Sequence, residues 1–182
     1  MIKKIALSIF VIFVISCSTS DQEDKSIPLY SGRYKITSFE SSKAVDLNND
    51  GTSNMDLSKE TAFFFTNSIY EIEIRPMIDQ DNYAKLISFS FPEASLSFYD
   101  SERTDYNLDY IDASFGTSYE EVDGHVVLEQ NEFDPFGAIE NFELDNHTET
   151  QIHLTLYKDY YNFESDSWEE LKIEVGYKKI DL

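Results

Sequence analysis

One cysteine, six glycines, four prolines, three histidines and a single tryptophan are few for 182 residues, and each shortage removes a class of protein. A lone cysteine cannot close an intramolecular disulfide, so no disulfide framework staples the chain. The scarcity of glycine and proline excludes collagen-like and low-complexity architectures. Basic residues are scarce as well: 14 Lys and Arg stand against 35 Asp and Glu, a formal net charge of -21. Nucleic-acid binding is excluded on that ground, because it rests on neutralising phosphates with clustered cations. Histidine is too sparse for a zinc centre: His125, His147 and His153 form no His-Glu-x-x-His and share no ligand spacing. Neither a Gly-x-Ser-x-Gly elbow nor a phosphate-cradling glycine loop occurs. The acid pairs Glu120-Glu121 and Glu169-Glu170 are sequence neighbours, which a strand turns to opposite faces, so neither pair converges on one glycosidic bond. No enzyme is expected.

What the chain does hold is apolar and aromatic. Hydrophobic residues make up 41% and aromatics 15%, with 14 Phe and 12 Tyr, enough for one packed domain. The N-terminus is set apart. Lys3 and Lys4 precede an apolar run from Ile5 to Ile15, shorter than the ~20 residues of a membrane span but suited to a signal-peptide core. It ends in Val14-Ile15-Ser16-Cys17, which resembles a bacterial lipoprotein signal. That resemblance implies cleavage before Cys17, a lipidated thiol and an acylated amine, leaving no free cysteine. Residues 1–16 are therefore expected to be a signal peptide, 17–27 a lipidated cysteine with a flexible acidic tether, and 28–182 a single β domain. The expected location is the outer membrane of a Gram-negative cell envelope. Asp21-Gln22-Glu23-Asp24 is similar to the acidic export tags of some surface lipoproteins. Attachment would come from the acyl chains, since anionic lipid repels so acidic a domain.

Side chains alternate between faces in a strand, so a period of two marks a half-buried sheet. Tyr70-Glu71-Ile72-Glu73-Ile74-Arg75 shows it, with Pro76 as the expected stop. Ile152, Leu154 and Leu156 alternate with polar neighbours, as do Leu171, Ile173, Val175 and Tyr177; the polar stretch 163–167 between them predicts a long hairpin over 149–180. Further strands are expected over 33–39, 61–67, 83–91, 95–99, 108–115 and 125–129, the last opened by Asp123-Gly124, a strong hairpin dipeptide. Helix is limited to single turns: one capped by Asn54 through Glu60, another within Phe136 to Phe142. Eight or nine short strands predict an all-β antiparallel barrel, with a β-sandwich as the alternative.

Gly32-Arg33-Tyr34-Lys35-Ile36-Thr37-Ser38-Phe39 resembles the opening strand of small lipocalin-like bacterial lipoproteins, in which Gly-x-Trp is usual and Tyr34 here replaces Trp. The loop Val45-Asp46-Leu47-Asn48-Asn49-Asp50-Gly51 and the end Val175-Gly176-Tyr177-Lys178-Lys179-Ile180 are similar to that family's Asp-Leu-Asn-rich loop and closing strand. The resemblance implies a lipocalin-like barrel holding a small apolar ligand, or none. Phe63, Phe65, Tyr70, Ile72, Ile74, Phe89 and Phe91 are the candidates to face its interior, where a closed core would use the same residues.

One motif carries chemistry. Asp46, Asn48, Asp50, Gly51, Thr52 and Asn54 match the opening positions of a calcium loop, with oxygens at alternate positions and glycine at the sharp turn. The twelfth position, which should carry a bidentate carboxylate, is Leu57; Asp56 stands one place early and Glu60 three places late. Calcium is the one cofactor considered, with Asp46, Asn48, Asp50, Thr52, Asn54 and Asp56 as ligands, and a metal-free polar turn would use the same residue types. The main functional expectation is a non-enzymatic, lipid-anchored envelope protein binding a small apolar ligand. The alternative is a calcium-stiffened interaction or glycan-binding module, whose partner is another envelope protein or a glycan met by exposed tyrosines.

Overall fold

The computed structural model describes residues 28–68, 71–78, 83–123, 125–134, 136–145 and 151–180. The segments expected to be a signal peptide and a tether, with Cys17, lie outside the described residues, as do Tyr70, Gly124, His147 and the side chain of Phe63. Ten strands and two short helices follow one another: β1 (Gly32–Val45), β2 (Asn54–Asp56), α1 (Leu57–Glu60), α2 (Ala62–Asn67), β3 (Ile72–Ile78), β4 (Tyr83–Phe98), β5 (Tyr106–Val122), β6 (His125–Leu128), β7 (Glu132–Phe133), β8 (Gly137–Asp145), β9 (Gln151–Asn162) and β10 (Ser167–Ile180).

The strands form a single antiparallel sheet in the order β6-β5-β4-β3-β1-β10-β9-β8-β7, with β2 paired to β1. This is an up-and-down meander in which the first and last long strands pair. The protein is thus all-β, and its sheet curls into a barrel-like form rather than splitting into the two layers of a sandwich. Its two ends approach each other, β6 lying beside β8, and the Phe142 ring of β8 meets Phe89 of β4 at 6.1 Å. Val126, Leu128, Ile139 and Phe142 line the narrow remaining gap of about 180 Å³.

The β9–β10 hairpin follows the alternation in the sequence. Ile152 pairs with Tyr177, Leu154 with Val175 and Leu156 with Ile173. Paired residues share a face, so all six enter the core, each no more than 2% exposed. Burying side chains of this size contributes roughly 1.5–3 kcal/mol apiece. Gly176 sits where β1 shifts register between Ile36 and Ser38. A Cβ there would press on Ser38 Oγ at 2.5 Å, so glycine lets β1 lie close against β10.

Several local expectations are corrected. Residues 62–67 are helix α2, not a strand. Three successive phenylalanines offer no alternation, and the helical turn buries Phe64 while leaving Phe65 half-buried against Phe39. Pro76 does not stop β3, which continues to Ile78. β1 pairs with β3 only through Ile72, Glu73 and Ile74, so Pro76 lies where no β1 hydrogen bond is asked of it. The strands expected over 83–91 and 95–99 are one, β4, running through Pro92. Inward-facing residues are odd-numbered before Pro92 (Ile87, Phe89, Phe91), whereas beyond it Ala94 packs on the core. Residues 137–145 are strand β8 rather than a helical turn, paired to β9 from Ala138↔Tyr157 onward. Asn54 does not cap α1; Asp56 does, accepting from the Ser58 amide at 3.2 Å.

Candidate functional site

The Asp46–Asn54 loop leaves β1 and returns as β2 at one end of the barrel. Its short side chains bind its own backbone. Asp46 Oδ1 accepts from the Asp50 amide at 3.3 Å and its Oδ2 from the Gly51 amide at 3.0 Å. Asn48 Oδ1 accepts from the Asp50 amide at 3.0 Å, and Asp50 Oδ1 from the Thr52 amide at 2.8 Å. Asn49 and Gly51 take positive φ, 57° and 78°, which brings these amides round to one side.

Two features that the motif did not contain complete the arrangement. Glu60, from α1, is buried and closes the loop from below: its Oε2 accepts from the Leu47 amide at 3.0 Å, and its Oε1 from the Asn54 side-chain amide. The β9–β10 turn holds the other side, with the Phe163 amide donating to the Asp46 carbonyl at 2.8 Å and Asn162 Oδ1 accepting from the Asp46 amide at 3.2 Å. Asp56 is not brought to the set. It caps α1 and pairs with Lys59 at 3.2 Å, and the Ser58 hydroxyl, ahead of Lys59, holds its carboxyl below the usual carboxylate range. The Thr52 carbonyl accepts from the Asn54 side chain at 3.4 Å. Among the described residues no three His, Cys, Asp or Glu side chains are grouped so as to hold a metal, so a cation here would depend on the Asn48 and Asn54 amides and on main-chain carbonyls as well.

Beside the loop lies an open cleft of about 630 Å³. One wall is the start of β5, from Tyr106 to Tyr110; the other is Asn48, Glu60 and the α1–α2 junction at Thr61 and Ala62. Asn48 and Glu60 thus belong to both loop and cleft. The two walls are tied where the Tyr110 hydroxyl donates to the Leu47 carbonyl at 2.8 Å and the Asn49 side-chain amide to the Tyr106 hydroxyl at 2.6 Å. Burial, then the nearby Glu60 and Asp46 charges, pushes the Tyr110 phenol far up, so it stays a neutral donor.

The interior candidates sit elsewhere. Ile72, Ile74, Phe89 and Phe91 are at most 2% exposed. Phe89 lies 5.4 Å from Phe115 and 6.1 Å from Phe142, centroid to centroid, while Phe115 stacks on Phe133 at 4.2 Å. At these positions the barrel is filled by its own rings. The tyrosines expected on a binding face are gathered differently too. Phe98, Tyr106, Tyr161 and Phe163 contact one another at 5.0–6.2 Å and stopper one end, with Trp168 outermost at 52% exposed. His125 and His153 are exposed, as are Glu120, Glu121 and Glu170.

Glu71 is a buried acid that stands outside both loop and cleft and belongs to no motif in the sequence. Its Oε2 accepts from the Ile36 amide at 2.7 Å, doing for β1 what β3 does not reach to do. Its Oε1, like the Tyr177 hydroxyl, has no hydrogen-bond partner among the described residues. Burial raises the Glu71 carboxyl, outweighing the Ile36 amide, the Ser68 hydroxyl and Lys35, which lower it. The folded state therefore holds this proton to higher pH than the unfolded state does. The stability from this group is present below the ordinary glutamate range and falls as pH rises through the raised value. Thermal midpoints measured across that interval should show the fall in the natural protein, and Glu71→Gln should flatten it; an unchanged slope in the variant would assign the fall to other groups.

No family model, curated protein or solved structure matches this chain.

Proposed function

We propose that the domain is a non-enzymatic binding module of the bacterial cell envelope, anchored through acyl chains on Cys17, and that it binds at the cleft beside the Asp46–Asn54 loop. Calcium held by that loop stiffens one wall. The supporting observation is the shared use of Asn48 and Glu60: the residues that order the loop also line the cleft. Asp46, Asn48, Asp50 and Glu60 are the donors in this reading, with Glu60 in the role the motif lacks at Leu57. The competing reading puts a small apolar ligand in the barrel, against Phe89 and Phe91, where it would have to displace rings already in contact with one another.

Thermal unfolding with calcium and then with EGTA tests the metal. A ligand that binds only the folded state stabilises it by RT ln(1 + [L]/Kd), about 2.7 kcal/mol at a hundredfold excess over Kd. The midpoint should rise with calcium, and Asp50→Asn or Glu60→Gln should remove the rise. An equal midpoint in calcium and EGTA would return the loop to a metal-free polar turn.

A further inference from the structure

We propose that β5 is a docking edge, and that the cleft receives an extended, cationic segment of a partner chain which adds a strand to it. This rests on the cleft of the preceding reading but not on its calcium.

The argument begins with the direction of the backbone groups on β5. The Tyr99 amide donates to the Asp105 carbonyl at 2.8 Å. With the register Phe98↔Tyr106 through Leu86↔Ser118, odd-numbered residues of β5 therefore turn their amides and carbonyls to β4, and even-numbered ones turn theirs away. Two further bonds agree. The Ser118 carbonyl accepts from the Glu129 amide at 3.0 Å, on the β6 side. The Tyr110 amide, also facing away from β4, is met only by its neighbour, Asp109 Oδ1, at 2.8 Å.

β6 covers that side only from Tyr119 to Val122. From Tyr106 to Gly116, no strand among the described residues pairs with it. Over this stretch β5 presents a row of unpaired main-chain groups, a template for one more strand. The cleft runs along its first part, between Tyr106–Tyr110 and the α1–α2 junction, so the outward-turned groups of Tyr106 and Leu108 border it.

Charge selects the occupant. Asp105, Asp109 and Asp112 are exposed along the edge, and Glu60 lines the facing wall. The cation of that wall, Lys59, is already paired with Asp56. With a formal charge of -21 on the chain, an acidic segment is repelled and a lysine- or arginine-bearing one is attracted. Alternate side chains of an added strand would point either to the acidic rim or toward the half-buried Leu108.

The test uses the full chain in detergent and a fluorescein-labelled octapeptide of alternating lysine and valine, read by anisotropy. It should bind, weaken as salt rises, and exceed the glutamate–valine octapeptide by at least about tenfold. N-methylation of alternate amides in the peptide should weaken it similarly, because it removes the main-chain donors without changing charge. In the protein, Leu108→Pro removes a donor that faces the cleft, not β4, so a circular-dichroism spectrum like the natural one with lost binding supports the edge. Equal binding of the N-methylated peptide, or of the glutamate–valine peptide, overturns the proposal. Binding that persists in EGTA leaves this inference standing while removing calcium from it; a calcium-raised midpoint with no peptide binding removes this inference alone.

Discussion

Glu93→Ala should destabilise the protein by about 3–5 kcal/mol, whereas Lys158→Met should be neutral or stabilising. Lys158 lies in the barrel interior with its side chain 2% exposed, and it reaches across from β9 to pair with Glu93 on β4, the opposite wall. Its second acceptor is the Phe136 carbonyl at 3.3 Å. Removing Glu93 leaves an ammonium without its counter-charge in an apolar setting, and the desolvation already incurred is no longer offset. Removing the lysine instead leaves Glu93, whose side chain is 27% exposed and able to reach water. A thioether of similar length then fills the space with none of the desolvation cost. Urea unfolding of the two single variants and the double variant decides the matter. If Glu93→Ala and Lys158→Met lose the same amount, the pair is an ordinary two-sided contact without this asymmetry.

Phe89→Ala should cost about 3–5 kcal/mol, the transfer of a buried ring plus the cavity it leaves. Phe89 is fully buried and touches Phe91, Phe115 and Phe142, which carry contacts from β4 to β5 and on to β8. The variant therefore reports on how the sheet's two ends are held together as well as on the core. It also separates the two functional readings. A cost below about 1.5 kcal/mol would mean that the ring borders space already open, and would favour the barrel interior as a ligand site. The full cost favours a solid interior and moves binding to the cleft. Midpoints in denaturant at unchanged slope are the measurement.

Much of the architecture can be read from the chain. The β9–β10 hairpin is legible because its apolar residues keep a strict period of two and a polar stretch divides them. β6 is legible from Asp123-Gly124, and Asp123 takes the positive φ of 51° that such a turn requires. α2 is not legible, because consecutive Phe residues carry no period for either element. β4 reads as two strands because Pro92 is a breaker when its hydrogen-bonding side is unknown; only the register shows that β3 has ended before it.

The candidate site divides in the same way. Asp46, Asn48, Asp50 and Gly51 declare a tight polar loop locally, since short side chains and nearby amides are all it needs. Glu60 could be suspected from spacing, but its part depends on α1 folding back beneath Leu47. Lys158 stands in phase with Ile152, Leu154 and Leu156, so the sequence marks it as an inward-facing lysine. Its partner lies 65 residues away on the other wall, and no local pattern points there.

The amino-acid sequence alone determined the class of this protein: an acidic, aromatic-rich, antiparallel β domain with one oxygen-rich loop. Composition and period-two alternation are properties of neighbouring residues, and they need no partner strand to be expressed. Tertiary structure alone decided that the curled sheet draws its ends together over Phe89, Phe115 and Phe142, that a charged pair crosses its interior, and that β5 carries beside the loop an edge unpaired among the described residues. Those three depend on which strands end early and which walls face each other, and contacts made across the barrel join residues whose separation along the chain carries no signal.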